Sequence, residues 1–184
     1  MLFNACSVCN KLTELLYLLY SATYQIIIVT ESWLNANMPS SMLDPENMYQ
    51  IFRCDRSQTV GGGVCILVSN RINAYEVKLH HCTAELEVIC IDINAGNERC
   101  RIFAVYRAPH SNTLLDITAC IERCMYTKGL CIIAGDFNCP YIDWRNFAAT
   151  GGPHNEFLNY CIMNGFCQLV TEPTRDSHIL DILL

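Results

Sequence analysis

An α/β protein with substantial antiparallel pairing is the fold class this chain predicts. Short apolar runs of strand length recur between glycine, proline and asparagine punctuation. Two of them, Leu86 to Ile93 and Cys100 to Tyr106, flank the turn-like Asn94-Ala95-Gly96-Asn97, which predicts a hairpin. Stretches of helical spacing alternate with the runs, as crossover helices do.

In chain order, Met1-Leu2-Phe3 alone remain to form a first strand before Asn4. Leu12, Leu15, Leu16 and Leu19 follow helical spacing, and Ile26-Ile27-Ile28-Val29 is a β-branched strand signal. Leu15 to Thr30 is nearly uncharged, but Ser21, Thr23 and Gln25 divide it, so a helix followed by a buried strand is the economical reading and a membrane span is not. Gly61-Gly62-Gly63 opens the strand run Val64-Cys65-Ile66-Leu67-Val68. From Asn112 to Lys128, Leu115, Ala119, Ile121 and Met125 predict a helix ending near Gly129. The run Cys131-Ile132-Ile133-Ala134 then ends abruptly in Gly135-Asp136-Phe137-Asn138. A further helix is expected over Asn155 to Asn164 with Gly165 as its cap, and Ile179 to Leu184 reads as a buried strand carrying one acid, Asp181.

With 184 residues and 52% apolar content, the chain can bury one core, and a single domain spanning 1–184 is expected. Thirteen cysteines in a long, core-rich chain with no convincing secretion signal point to reduced thiols in a nuclear or cytoplasmic setting, not a secreted disulfide scaffold. Cys6 and Cys9 form a Cys-x-x-Cys pair, and Cys120 and Cys124 could share a helix face, yet neither has a second pair at zinc-site spacing. His80-His81-Cys82 reads as a polar strand edge. A net charge of −6 argues against a simple DNA-coating module but leaves phosphodiester substrates open, because a bound divalent cation inverts the local charge logic.

The acids at strand ends carry the chemistry. Glu31 follows the Ile26 to Thr30 run much as Asp136 follows Ile132-Ile133. Two carboxylates so placed could share Mg²⁺, which needs only one or two protein carboxylates besides waters and phosphate; equally, each acid could cap the turn that follows it. Asp181 is the odder residue, since a carboxylate inside an apolar run needs a cation or several hydrogen bonds.

Asn4-Ala5-Cys6-Ser7, Thr30-Glu31-Ser32-Trp33-Leu34, Gly61-Gly62-Gly63-Val64, Val105-Tyr106-Arg107-Ala108-Pro109, Ala134-Gly135-Asp136-Phe137-Asn138, Glu172-Pro173-Thr174-Arg175 and Leu180-Asp181-Ile182-Leu183 occur in one order. In that order the chain resembles the endonuclease/exonuclease/phosphatase superfamily, and more narrowly the apurinic-type endonuclease domain of non-LTR retrotransposon (LINE-like) polyproteins. The resemblance implies a DNase I-like four-layer sandwich of two mixed β-sheets flanked by helices. It implies metal-dependent hydrolysis of DNA with Mg²⁺ or Mn²⁺, and a reverse transcriptase domain in a longer polyprotein. By the same resemblance Glu31 and Asn4 belong to the metal site, Asp136 aligns or deprotonates the attacking water, Asn138 and Tyr106 approach the scissile phosphate, and Asp181 orients a catalytic histidine.

One departure stands out. The family's Ser-Asp-His segment follows the Leu-Asp strand after a few dozen residues, whereas this sequence stops at Leu184. His178 is a poor substitute, because residues three apart on an extended strand face opposite ways. The expectation is a domain incomplete at its C-terminus, with reduced or absent activity; a lost acid/base group costs about 10²–10⁴-fold. Cys9, where related sequences often carry arginine, fits the same picture. The alternatives are a catalytically dead remnant and a phosphatase of the same superfamily.

Overall fold

The computed structural model describes residues 1–57, 59–79, 85–95, 98–125 and 129–184. Its first sheet holds β1 (Leu2–Asn4), β2 (Ile26–Thr30), β3 (Tyr49–Cys54) and β4 (Val64–Ser69), ordered β1-β2-β4-β3. β1 runs parallel to β2, and β4 is antiparallel to both β2 and β3. The second sheet contains β5 (Ala74–Glu76), β6 (Glu87–Ala95), β7 (Glu98–Tyr106), β8 (Leu130–Asp136) and β11 (Asp181–Leu183), ordered β11-β8-β7-β6-β5. A short antiparallel pair, β9 (Ile142–Asp143) and β10 (Ala148–Ala149), stands apart.

The two-residue period of the strands builds the layers. Ile28, Val64, Ile66 and Val68 of the first sheet meet Ile89, Ile91, Ile102 and Ala104 of the second in an inter-sheet core. Their neighbours Ile27, Val29, Cys65 and Leu67 face outward to Leu15 and Leu19 of α1 (Leu12–Tyr20). On the far side, Val88, Cys90, Phe103, Val105 and Ile133 pack on Leu114, Ile117 and Ile121 of α2 (Leu114–Cys124) and on Phe157, Leu158 and Cys161 of α3 (Gly152–Met163). Helices therefore cover both outer faces of a two-sheet sandwich, the four layers the resemblance implies. Because both faces of β4 are covered, Val64 to Val68 read as one apolar run without alternation. At about 1.5–3 kcal/mol per buried aliphatic side chain, slipping this strand by one residue gains nothing and breaks its ladder.

The expected helices and strands differ at their edges. α3 begins at Gly152, earlier than the expected Asn155, because Pro153 fits a first helical turn. At its end the Phe166 N–H donates to the Cys161 carbonyl (2.9 Å) and the Gly165 N–H to Ile162 (3.1 Å), a Schellman closure with Gly165 at φ +73°. α2 stops at Cys124, where Met125 turns extended. β6 and β7 pair from Glu87↔Tyr106 to Ala95↔Glu98, so Asn94 and Ala95, expected in the turn, belong to the strand. Gly96 and Asn97, the end of the helix expected to reach Lys128, and the His80-His81-Cys82 edge lie outside the described residues. No element was expected at β3 or β5: β3 mixes Gln50 and Arg53 into its apolar positions, and β5 is too short to show a period. Among the described residues no helix is long and apolar enough to cross a membrane.

Candidate active site

Both sheets deliver acids to the same end of the sandwich. β1 and β2 run in parallel with Asn4 opposite Thr30, which places the Asn4 amide beside Glu31. In the second sheet, β7 and β8 run in parallel with Tyr106 opposite Asp136, and β11 returns antiparallel with Asp181 opposite Asp136. Gly135 permits this junction. A Cβ there would sit 1.8 Å from the Val105 carbonyl oxygen, so no larger residue fits before Asp136.

Hydrogen bonds join the sheets across this end. Asn4 Nδ2 donates to Glu31 Oε1 (3.2 Å) and to Asp136 Oδ2 (2.9 Å). Asn4 Oδ1 accepts from the Cys6 N–H at 3.0 Å, so the amide nitrogen is what faces the carboxylates. Glu31 Oε1 also accepts from the Tyr106 hydroxyl (3.2 Å), and Oε2 from Trp33 Nε1 (3.3 Å). Asp136 Oδ1 accepts from the Asn138 N–H (3.0 Å), while Asn138 Nδ2 is spent on the Arg107 carbonyl (2.7 Å). Glu31 and Asn138 hold positive φ, +49° and +47°, a strain of about 1–3 kcal/mol each that is typical of functional loops.

The electrostatics of the cluster are those of crowded acid. Asp136 is 1% exposed, and burial, then the neighbouring Asp181 charge, push its carboxyl up to about 6 despite the Asn4 and Asn138 donors. Asp181 is also raised, by burial first, with the Thr174 hydroxyl and Arg175 opposing. Its Oδ1 is buried and has no hydrogen-bond partner among the described residues. The Tyr106 hydroxyl is raised by burial and by Glu31. A crowded, hard-oxygen site with an orphaned carboxylate oxygen is the donor set that suits Mg²⁺ or Mn²⁺, with waters completing the shell. Among the described residues no three or more His, Cys, Asp or Glu side chains are already arranged to hold a metal ion, neither the acids of the cluster nor Cys6 and Cys9.

Residues to which sequence reasoning gave no role complete the site. Arg107 is buried, and its guanidinium donates to the carbonyls of Phe137 (2.9 Å), Asn138 (3.1 Å) and Ser111, locking the loop after β8. Glu87, buried at the start of β6, accepts from Arg56 Nε (2.6 Å) and from the Gly63 N–H, tying the glycine loop of one sheet to the other. Arg56 in turn lies 5.6 Å over the Tyr106 ring. Gly62 beside it holds φ +70°, a backbone conformation that side chains rarely adopt, which explains the glycine. Arg107 and the glycines were visible within motifs; Arg56 and Glu87 lie 31 residues apart with no pattern joining them. Thr174, in the Glu-Pro-Thr-Arg block, caps β11 by accepting from the Leu180 (3.0 Å) and Asp181 (3.1 Å) N–H groups.

A groove of about 730 Å³ lies between Pro140–Asn146 and Gln168–Ile179, and Glu31, Asp136 and Asp181 lie outside its lining. His178 lines that groove, and its backbone pairs with Arg175.

Two mixed sheets with flanking helices, closed at one end by this cluster, define the class as a DNase I-like α/β sandwich. Residues 100–184 match the family described as endonuclease-reverse transcriptase. No curated protein matches the chain in sequence. Its backbone is similar to the endonuclease domain of TRAS1, a telomere-specific non-LTR retrotransposon, with TM-score 0.71 and 14% identity over 99% of this chain and 81% of that one. It is similar to the AP endonuclease LMAP from Leishmania major, with TM-score 0.67 and 12% identity over 99% and 77%. It is also similar to the 3' phosphatase NExo from Neisseria, solved with a product DNA hairpin, with TM-score 0.64 and 13% identity over 99% and 84%. What the chain shares with these structures is the DNase I-like fold, and the family match falls on its C-terminal part, residues 100–184.

Proposed function

We propose that residues 1–184 are the DNA-nicking endonuclease domain of a non-LTR retrotransposon polyprotein, a metal-dependent phosphodiesterase. The observation that carries this reading is the convergence of Glu31, Asn4, Tyr106, Asp136 and Asp181 from both sheets on one hydrogen-bonded acidic end. DNA as substrate, a reverse transcriptase domain in the same polyprotein, and a nuclear or cytoplasmic location go with it.

Glu31, with the Asn4 amide beside it, is the carboxylate suited to hold Mg²⁺ or Mn²⁺, which when bound would neutralise phosphoryl charge and acidify a water. Asp136, with its carboxyl near 6, is ionised at neutral pH and basic enough to take a proton from the attacking water. Asn4 holds Asp136 and Glu31 in register through its two donated bonds. The Tyr106 hydroxyl, stabilised in its protonated form, is a donor for a phosphoryl oxygen. Asn138 keeps the loop closed against Arg107 and brings its own N–H to Asp136. Among the described residues no histidine hydrogen-bonds the orphaned Asp181 oxygen, so the rate expected of residues 1–184 is about 10²–10⁴-fold below that of a site with a full acid/base set.

The test is conversion of supercoiled plasmid to nicked circle with Mg²⁺ or EDTA, beside Asp136→Ala. Nicking that requires Mg²⁺ and vanishes in the variant is expected. The similarity to a 3' phosphatase makes inorganic phosphate release from 3'-phosphorylated DNA the parallel assay. Release without nicking would replace the endonuclease reading by the phosphatase, and neither activity from folded protein would leave a catalytically dead remnant.

A further inference from the structure

The two tryptophans of this chain are treated in opposite ways. Trp144 is buried, edge-on against Phe157 in the α3 core. Trp33 is 37% exposed, two residues beyond Glu31. Its exposure is not slack. The Trp33 N–H donates to the Gly62 carbonyl (2.9 Å), and the Ser32 N–H donates to Gly63 (3.2 Å) on one side of the turn. On the other side the Ser7 and Val8 N–H groups donate to the Glu31 (2.9 Å) and Ser32 (3.0 Å) carbonyls. The side chain of Ser32, between them, is wholly buried. Trp33 Nε1 is fixed on Glu31 Oε2, and the indole lies against Gly61, where a Cβ would stand 3.6 Å from Nε1. Both Glu31 and Trp33 carry positive φ, +49° and +55°. A backbone strained and pinned on both sides thus holds a large aromatic out of the core at the rim of the acidic cluster. Aromatic surface placed this way is the usual platform for a nucleobase, whose π-face stacks whatever its identity.

We propose that Trp33 is the base-stacking contact of the site, receiving a nucleobase unpaired or displaced beside the scissile phosphate. The inference rests on the phosphodiesterase reading and adds to it what lies next to the phosphate. The bond from Nε1 to Glu31 sets the angle of the ring.

The probes are a labelled duplex with one unpaired adenine and the fully paired duplex of the same length, titrated in EDTA and followed by fluorescence anisotropy. Wild-type chain is expected to prefer the duplex with the unpaired base. Trp33→Ala should weaken that binding by about 5- to 100-fold and abolish the preference, while Trp33→Phe, which keeps a ring, stays within about threefold. In a Trp144→Phe background, emission from Trp33 should be quenched by the unpaired-base duplex more than by the paired one, which reads the contact without any variant at Trp33. A preference that is absent, or that survives Trp33→Ala, overturns the proposal. So does a Trp33→Phe loss equal to that of Trp33→Ala, since the bond to Glu31 would then be the whole role. Plasmid nicking by a chain whose binding ignores Trp33 would sink this inference alone; absence of both binding and nicking would sink the endonuclease reading with it.

Discussion

Asp136 concentrates the conflict between folding and chemistry. Its carboxyl is about 6 in the folded chain against an ordinary value of 3.8, so the folded state favours the protonated form. The stability this gives is fully present below about pH 4 and is lost as pH rises through 6, at a cost of order 1–3 kcal/mol at neutral pH. Asp136→Asn removes the titration and also one acceptor for Asn4 or Asn138. The expected outcome is therefore a difference: in denaturant titrations the stability of the variant relative to wild type rises between pH 4 and pH 8, while nicking is lost. A relative stability flat across that range would show that Asp136 is not perturbed. Tyr106→Phe, by contrast, deletes only a donor to Glu31. It should lower kcat about 10²-fold with KM nearly unchanged and stability altered by less than about 1 kcal/mol, read from steady-state nicking and thermal melts. A change confined to KM would make the hydroxyl a ground-state binding group.

At the scale of elements, two junctions hold the site in place. Gly135 lets β8 lie against Val105 of β7 at the point where Asp136 begins. Gly135→Ala should destabilise the chain by about 3 kcal/mol, because the methyl meets backbone, which cannot rotate away. Chemical denaturation measures this, and a loss under about 1 kcal/mol would mean that the strands part without cost. The second junction is Glu87, which joins the glycine loop before β4 and Arg56 to the second sheet. Glu87→Ala leaves Arg56 unpaired and should cost about 3–5 kcal/mol, with Glu87→Gln milder because its amide oxygen still accepts from Gly63. Equal losses would assign the effect to the charge pair alone. Much of this scale was legible in advance. The runs at Ile26 to Val29, Val64 to Val68 and Cys131 to Asp136 were readable because both faces of each strand are covered. β3 and β5 escaped notice because sheet edges tolerate polar residues and short lengths.

For the molecule as a whole, a net charge of −6 limits how DNA can be held. A protein neutralising 6–10 phosphates loses about 10³–10⁵ in affinity between 50 and 200 mM salt. With few cations available, this chain should lose only about tenfold over that range, measured by anisotropy on paired duplex, and a steep slope would reveal a basic track that the charge balance conceals. The local cations Arg56 and Arg175 lie at the acidic end. On the proposed endonuclease reading, binding should therefore depend on a few groups at the cluster more than on a charged face.

Sequence alone determined the alternation of strands and helices and the residues that terminate the central strands, because period, β-branching and glycine are local properties that survive without context. The identity of the acids Glu31, Asp136 and Asp181 was readable for the same reason. Only the tertiary structure decided that Asn4 bridges Glu31 and Asp136, that Glu87 and Arg56 tie the two sheets, and that Trp33 stays exposed while Trp144 is buried. Each of these is a contact or a degree of burial set by pairing register and sheet packing between distant segments. Register is written in long-range hydrogen bonds and not in any neighbouring residue.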